Sequence, residues 1–410
     1  MTSHKKLAVF AGAWGYGPVT TAAQVIRALR LPASVTFVGD SIAADYARMP
    51  GSEFTQVWSL QQFIEDGSDF DGIISVVEPY GPLLGSALAV PVVAIDNLFW
   101  HWGWNDALAS SISARLPKRF EAQDVPGIVD AIADIPEYGM YAIMYLLGSR
   151  VLWQNVAAPP SSVPRWMSEV ATTIEPIVDV CPQPEGYQRR GKLVSLSGGL
   201  VNPYSTPKEW DIYLDALKQL LEPFPESGAW AWVAPPELHS RIRDRWPDST
   251  PEALPQRAFL EKLAQAEVCL APAGLGTTFE AAAAGTPLLT LPEQHDGNWA
   301  NYEGLSTASG FSRTELYRIY PNLLLSASAS DLRGAGSDEL FRNLASATRE
   351  GGHGGSFLSE GRSMLAEVFH QIADGTSQLA YDQAGLVSSF GGKLHGAAEA
   401  ASICRTTFAR

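Results

Sequence analysis

One grammar recurs twice along this chain and limits what it can fold into. It is a short β-branched run, a glycine-rich turn, and then apolar residues at helical spacing. In the first block Leu7–Phe10 reads as a strand and Gly12–Gly17 as a turn. A helix follows, with Ala22, Val25, Ile26 and Leu29 at i, i+3, i+4 and i+7. Pro18 fits its first turn, where a missing N–H costs nothing. Val35–Val38, Ile73–Val77 and Val92–Ile95 read as further strands. A second block opens near Lys192–Leu196, followed by Gly198 and Gly199. Its later strands are expected at Trp230–Val233, Val268–Ala271, Leu288–Leu291 and Leu323–Leu325. Strands that alternate with helices imply parallel sheets covered on both faces. The expected fold class is α/β, with two doubly wound, Rossmann-like domains facing a cleft.

The stretch Ala157–Pro164 holds three prolines and two serines, and Pro182–Gly186 is similar in kind. The expected division is a first domain over residues 1–165, a linker over 166–190 and a second domain over 191–375. The remaining residues, 376–410, start in a Gly-, Ala- and Ser-rich stretch. Two readings stay open for them, packing back on the first domain or partial mobility.

Composition excludes several classes. Of 410 residues, 44 are acidic and 29 basic, a formal net charge of −15, and no Lys/Arg cluster appears. A nucleic acid or an anionic membrane is a poor partner for such a surface. At 46% hydrophobic and 18% charged, the chain is far from the composition of disordered proteins. Cys181, Cys269 and Cys404 are widely spaced, which excludes a disulfide framework or a zinc site. No run approaches about 18 consecutive apolar residues, so no transmembrane helix is expected. The expected location is cytoplasmic.

In open parallel sheets ligands bind beyond the carboxyl ends of strands, and three segments fall there. The first is Val268 to Pro287, where a strand ends, Gly274 and Gly276 allow close backbone approach, and a helix is expected from Thr277. The amides and positive dipole of such a helix start suit a diphosphate. Thr277-x-x-Glu280 is equally the spacing of a capping box, and Gly285 a helix stop. The second is Phe10 to Thr20, a glycine turn that carries Tyr16. The third runs through Glu78 and then Asp96, on two neighbouring strand ends, into the aromatic run Phe99 to Trp104. Buried carboxylates there suit a general base, and Trp100 and Trp102 suit stacking on an acceptor. His101 is a further candidate base.

The span from Gly274 to Asn301 resembles the nucleotide-sugar signature of GT-B glycosyltransferases. The similarity is to the lipid-II-forming N-acetylglucosaminyltransferase and to the macrolide and UDP-glycosyltransferase branch. Gly274, Thr277, Glu280, Gly285 and Pro287 fall on the family's Gly-x-x-Thr-x-x-Glu-Ala-x-x-x-Gly-x-Pro pattern. Gln294, His295, Asp296 and Asn298 fall approximately on the polar donor loop that follows it. The resemblance implies that Gly276 and Thr277 hold the diphosphate and Glu280 the ribose, with Thr278 also among the donor-binding residues. Asp296 and Asn298 would take sugar hydroxyls, while Gly198 and Gly199 approach the donor phosphates. Leu254-Pro255-Gln256 resembles the segment that reads the base. Two departures stand out: Pro272 and Pro18 occupy places where many relatives carry histidines, the second of which is often the general base. The base is therefore expected among Asp96, Glu78 and His101, with Asp96 preferred.

The implied reaction is sugar transfer from a nucleoside-diphosphate sugar, UDP- or dTDP-linked, to a small-molecule acceptor bound by the first domain. No Asp-x-Asp motif stands in a suitable place, and neither a metal nor a cofactor is expected. A sugar-nucleotide hydrolase or epimerase on the same fold, or a degenerate binding or partner protein, are the alternatives.

Overall fold

The strands predicted from β-branched runs form, in the computed structural model, two separate parallel sheets. The structure describes residues 4–409 apart from 31–32, 67–68, 100–105, 120, 133–136, 157–164, 182–187, 197, 204, 296, 299–300, 302–339, 350–354, 378–384 and 388–392. The chain divides into two compact units, Met1–Val178 with Lys393–Arg410, and Asp179–Gly392.

The first unit is built on β1 (Lys5–Ala11), β2 (Ala33–Val38), β3 (Gln56–Trp58), β4 (Gly72–Val76), β5 (Val92–Asp96), β6 (Arg150–Gln154) and β7 (Ala171–Ile174). They pair in the order β3-β2-β1-β4-β5-β6-β7, every pairing parallel. β4 and β5 are buried at every position, as expected of strands with helices on both faces. α1 (Tyr16–Leu29) and α2 (Tyr80–Leu88) supply part of that cover, and α3 (Ala142–Leu147) leads into β6. Two elements fall inside the stretch expected as linker: a short helix at Arg165–Val170 and β7, which extends the sheet.

The last helix of the chain belongs to this unit. It spans Gly396–Phe408 and buries Ala400, Ala401, Cys404 and Phe408 on one side, the spacing of an amphipathic helix. A Cβ at Gly72 would sit 2.4 Å from the Phe408 ring, so the strand and the ring approach as closely as glycine allows. Arg405 donates to the carbonyls of Ala28 and Leu29 at 3.3 and 3.2 Å, neutralising the C-terminal end of α1.

The second unit carries β8 (Lys192–Ser195), β9 (Ala231–Val233), β10 (Val268–Ala271) and β11 (Leu288–Thr290), in the order β11-β10-β8-β9 and again wholly parallel. The helix placed between β8 and β9 is α4 (Pro207–Leu221). It starts in a capping box in which Thr206 accepts from the Glu209 amide and Glu209 accepts from the Thr206 amide. Its buried face, including Tyr213, Leu217 and Leu220, packs in one cluster with Trp232 and Phe341. α5 (Gln256–Gln265) and α6 (Leu275–Ala284) flank β10 in sequence. The strand expected at Leu323–Leu325 lies outside the described residues. Among the described residues no helix is long and apolar enough to cross a membrane.

Candidate functional site

Each sheet has a point where the chain reverses the direction in which strands are added, and ligands of open α/β sheets bind beside that point. In the second unit the reversal lies between β8 and β10. In the first it lies between β1 and β4.

Three loops gather at the carboxyl ends of the second sheet. β8 runs into a tight turn at Gly198–Val201, with Gly198 and Gly199 both buried. A Cβ at Gly199 would lie 2.7 Å from the His295 ring and 3.3 Å from the Gln294 Oε1, so only glycine lets the two loops meet this closely. The Asn202 amide donates to the Gly199 carbonyl at 2.6 Å and braces the turn. After β11, the Gln294 amide donates to Asn298 Oδ1 at 3.0 Å. The side-chain amides of Asn298 and Asn301 both donate to the Ala273 carbonyl, at 3.3 and 3.1 Å. His295, Gln294 and Asn298 are thus brought together with the loop after β10. Asp296 lies outside the described residues.

The helix after β10 begins earlier than its sequence suggested. α6 starts at Leu275 with Gly274 as N-cap, and no side chain caps it. Thr277 therefore sits inside the first turn, and the capping box expected at Thr277–Glu280 is not formed. Thr278 Oγ1 donates back to the Gly274 carbonyl at 2.8 Å. Residues Gly274 to Thr277 are half-buried, while Thr278 to Ala282 beyond them are buried. The first-turn amides, which lack intrahelical acceptors, thus belong to half-buried residues with no side-chain cap. Gly285, at φ +64, ends the helix as predicted.

Glu280 is 4% exposed, and its carboxylate folds back over the first turn. Its Oε1 lies 3.9 Å from where a Gly276 Cβ would be. The side-chain amide of Gln256, at the start of α5, donates to that oxygen. A buried carboxylate and an uncapped helix start therefore share one helix turn.

The same loop holds a group that sequence reasoning passed over. Glu293 is 1% exposed, and neither carboxylate oxygen has a hydrogen-bond partner among the described residues. Burial raises its pKa to about 7. Beneath it Tyr213 donates to the Pro292 carbonyl at 2.8 Å, and burial first, then the Glu293 charge, holds that phenol protonated. The only sequence signal was a carboxylate between two residues of a polar loop.

At the reversal of the first sheet the loop after β1 meets the loop after β4. The Gly12 amide donates to the Val76 carbonyl at 3.0 Å, and a Cβ at Gly12 would come 2.6 Å from the Val77 carbonyl oxygen. Val77 itself sits at φ +49. A β-branched residue in the left-handed region costs on the order of 1–3 kcal/mol, strain of the kind that clusters at functional sites. It turns the chain into Glu78, which is half-buried and accepts from the Tyr80 amide at 3.1 Å. Burial raises the Glu78 pKa to about 7.

Asp96, the preferred base on sequence, is placed differently. It has no exposed surface, and both carboxylate oxygens are engaged. Oδ1 accepts from the Leu98 amide at 2.8 Å and Oδ2 from the Tyr145 hydroxyl at 2.6 Å, while Trp153 donates to that same hydroxyl. A fully enclosed carboxylate that shapes its own turn is a structural acceptor. Its neighbour Asn97 donates to Thr21 on α1 at 3.2 Å and accepts from Gln154. Tyr16 opens α1, packing partly against the core with its ring 5.7 Å from that of Tyr46. Trp100, His101 and Trp102 lie outside the described residues. Among the described residues no group of three His, Cys, Asp or Glu is placed to hold a metal ion.

No protein-family model matches the sequence, and no curated protein matches it. Solved structures do match. Spinosyn forosaminyltransferase SpnP aligns over 100% of both chains with a TM-score of 0.52 and 13% identity. The glycosyltransferase of kitacinnamycin aligns over 99% of this chain and 100% of its own, with a TM-score of 0.48 and 16% identity. The calicheamicin glycosyltransferase CalG4 covers 100% and 99%, with a TM-score of 0.44 and 16% identity. The whole-length likeness to SpnP is one of fold: with two parallel α/β sheets, each with an internal reversal of strand order, the chain has the GT-B fold.

Proposed function

We propose that this protein transfers a sugar from a nucleoside-diphosphate sugar to a small-molecule acceptor. The observation that carries the reading is the first turn of α6, where an uncapped helix start lies under the carboxylate of Glu280, itself fixed by Gln256. The diphosphate would take the amides of Gly276 and Thr277 and the helix dipole, and Glu280 the ribose hydroxyls. The loop from Gln294 to Asn298, laced to Ala273, would present polar groups to the sugar. The nucleotide is read as uridine or thymidine diphosphate by the resemblance of the Gly274–Pro287 segment.

In the reaction the acceptor oxygen attacks the anomeric carbon as the bond from that carbon to the β-phosphate oxygen breaks. The bonding pair leaves on the diphosphate, where helix amides stabilise it without a metal. The acceptor proton passes to a base. Glu78 replaces Asp96 in that role, because it is partly accessible, sits on a strained elbow, and titrates near neutrality.

Calorimetry with uridine and thymidine diphosphates, followed by product analysis with their glucose conjugates over an acceptor panel, tests the reading. Nucleotide binding with a glycosylated product is the expected result. Absence of binding to either nucleotide would sink the proposal. Free sugar released without acceptor would move the assignment to a hydrolase.

A further inference from the structure

The first unit contains a second candidate site, at the end of its sheet away from the loops described above. A cavity of about 670 Å³ opens where β5 and β6 begin, between α2 and the C-terminal helix Gly396–Phe408. Its volume is within the range of small-molecule pockets. Arg150, the first residue of β6, stands exposed at its rim and makes no ion pair or hydrogen bond through its side chain among the described residues. Among the described residues no carboxylate lines the cavity, although the chain as a whole carries a net charge of −15.

Hydroxyls complete the polar wall. Ser149 Oγ accepts from the Val92 amide at 3.0 Å, which leaves its own proton to donate. Ser86 and Ser402 also line the cavity and are exposed. The facing wall is apolar, with Leu147 and Ile403 half-buried. The guanidinium fork matches carboxylate and phosphate alike, and the hydroxyl donors beside it find more acceptors on an oxyanion with three free oxygens.

We propose that this cavity binds a small phosphate monoester, its phosphate at Arg150 and its organic body against Leu147 and Ile403. Such a ligand would bridge β6 and the C-terminal helix, and so would hold that helix on the unit. The site is independent of the proposed donor site, which lies in the other unit.

Calorimetry on the full chain with phenyl phosphate, with and without excess uridine diphosphate, tests this. Binding should be one-to-one and indifferent to the nucleotide. Arg150→Gln should weaken it about ten-fold or more, as expected for loss of a charge-assisted pair. Ser86→Asp, which sets a negative charge in the cavity from an exposed position, should weaken it likewise. Circular dichroism of both variants should match wild type. No binding to the wild-type protein, equal binding to Arg150→Gln, or displacement by the nucleotide would each overturn the proposal.

Discussion

Gln256 donates its side-chain amide to Glu280 across 24 residues of sequence, joining the start of α5 to the first turn of α6. The bond orients a carboxylate that is only 4% exposed, and the oxygen it holds, Oε1, lies beside Gly276 at the uncapped helix start. If that carboxylate holds a ribose, Glu280→Gln should weaken nucleoside diphosphate binding by about 1–3 kcal/mol, the range for a hydrogen bond to a charged group. Gln256→Ala should cost less, because it frees the carboxylate without removing it. Calorimetry on both variants decides, and unchanged affinity with lower thermal stability would make Glu280 a structural residue only.

Glu78→Gln should lower turnover on the order of 10²–10⁴-fold while donor affinity stays intact, as removal of a general base does. A base must be ionised, so the wild-type rate should rise with pH through about 7, where burial places this carboxyl. Initial rates from pH 5.5 to 9 provide the check. A variant within a few-fold of wild type would remove Glu78 from the chemistry.

Asp96 and Tyr145 should show the opposite split. Tyr145→Phe removes the buried hydroxyl that bonds Asp96 and Trp153. Loss of stability of about 1–3 kcal/mol is expected from the polar groups left behind. Asp96→Asn keeps an acceptor for the Leu98 amide and should turn over within a few-fold of wild type. Denaturant melts paired with rates distinguish the two, and a rate collapse in Asp96→Asn at unchanged stability would restore Asp96 as the base.

These reassignments show what was legible in the sequence. β1, β2, β4, β5, β8, β10 and β11 announce themselves because their runs are apolar and largely buried, so composition alone marks them. β3 and β7 do not. They are the two edges of the first sheet, one three residues long and led by an exposed Gln56, the other carrying exposed Thr172 and Thr173. β6 begins with Arg150 and ends with Gln154, which hides its apolar centre. The glycines of the Gly274–Gly285 segment were readable because helix start and stop are local chemistry. The start itself was misplaced by two residues, at Thr277 instead of Leu275. A Thr-x-x-Glu spacing signals a cap only where the threonine precedes the helix, as Thr206 does and Thr277 does not. The contacts Gln256–Glu280, Tyr145–Asp96 and Asn298–Ala273 join residues 24, 49 and 25 apart, and no local pattern encodes them.

The last test uses Glu293, whose carboxyl has no hydrogen-bond partner among the described residues and is pushed by burial from the ordinary carboxylate range up to about 7. A raised carboxyl pKa means that the folded state binds the proton more tightly than the unfolded chain. The resulting stability is fully present below the unfolded value and is lost as pH rises through about 7. Glu78 has the same sign, so thermal stability should fall across this window. Glu293→Gln keeps the shape of the protonated acid and cannot ionise. It should therefore match wild type near pH 5 and exceed it near pH 8, by on the order of 1–3 kcal/mol. Melting curves of both proteins at the two pH values measure the difference directly. An equal shift at both would mean that Glu293 stays ionised in the folded protein, its charge met by a neighbouring group.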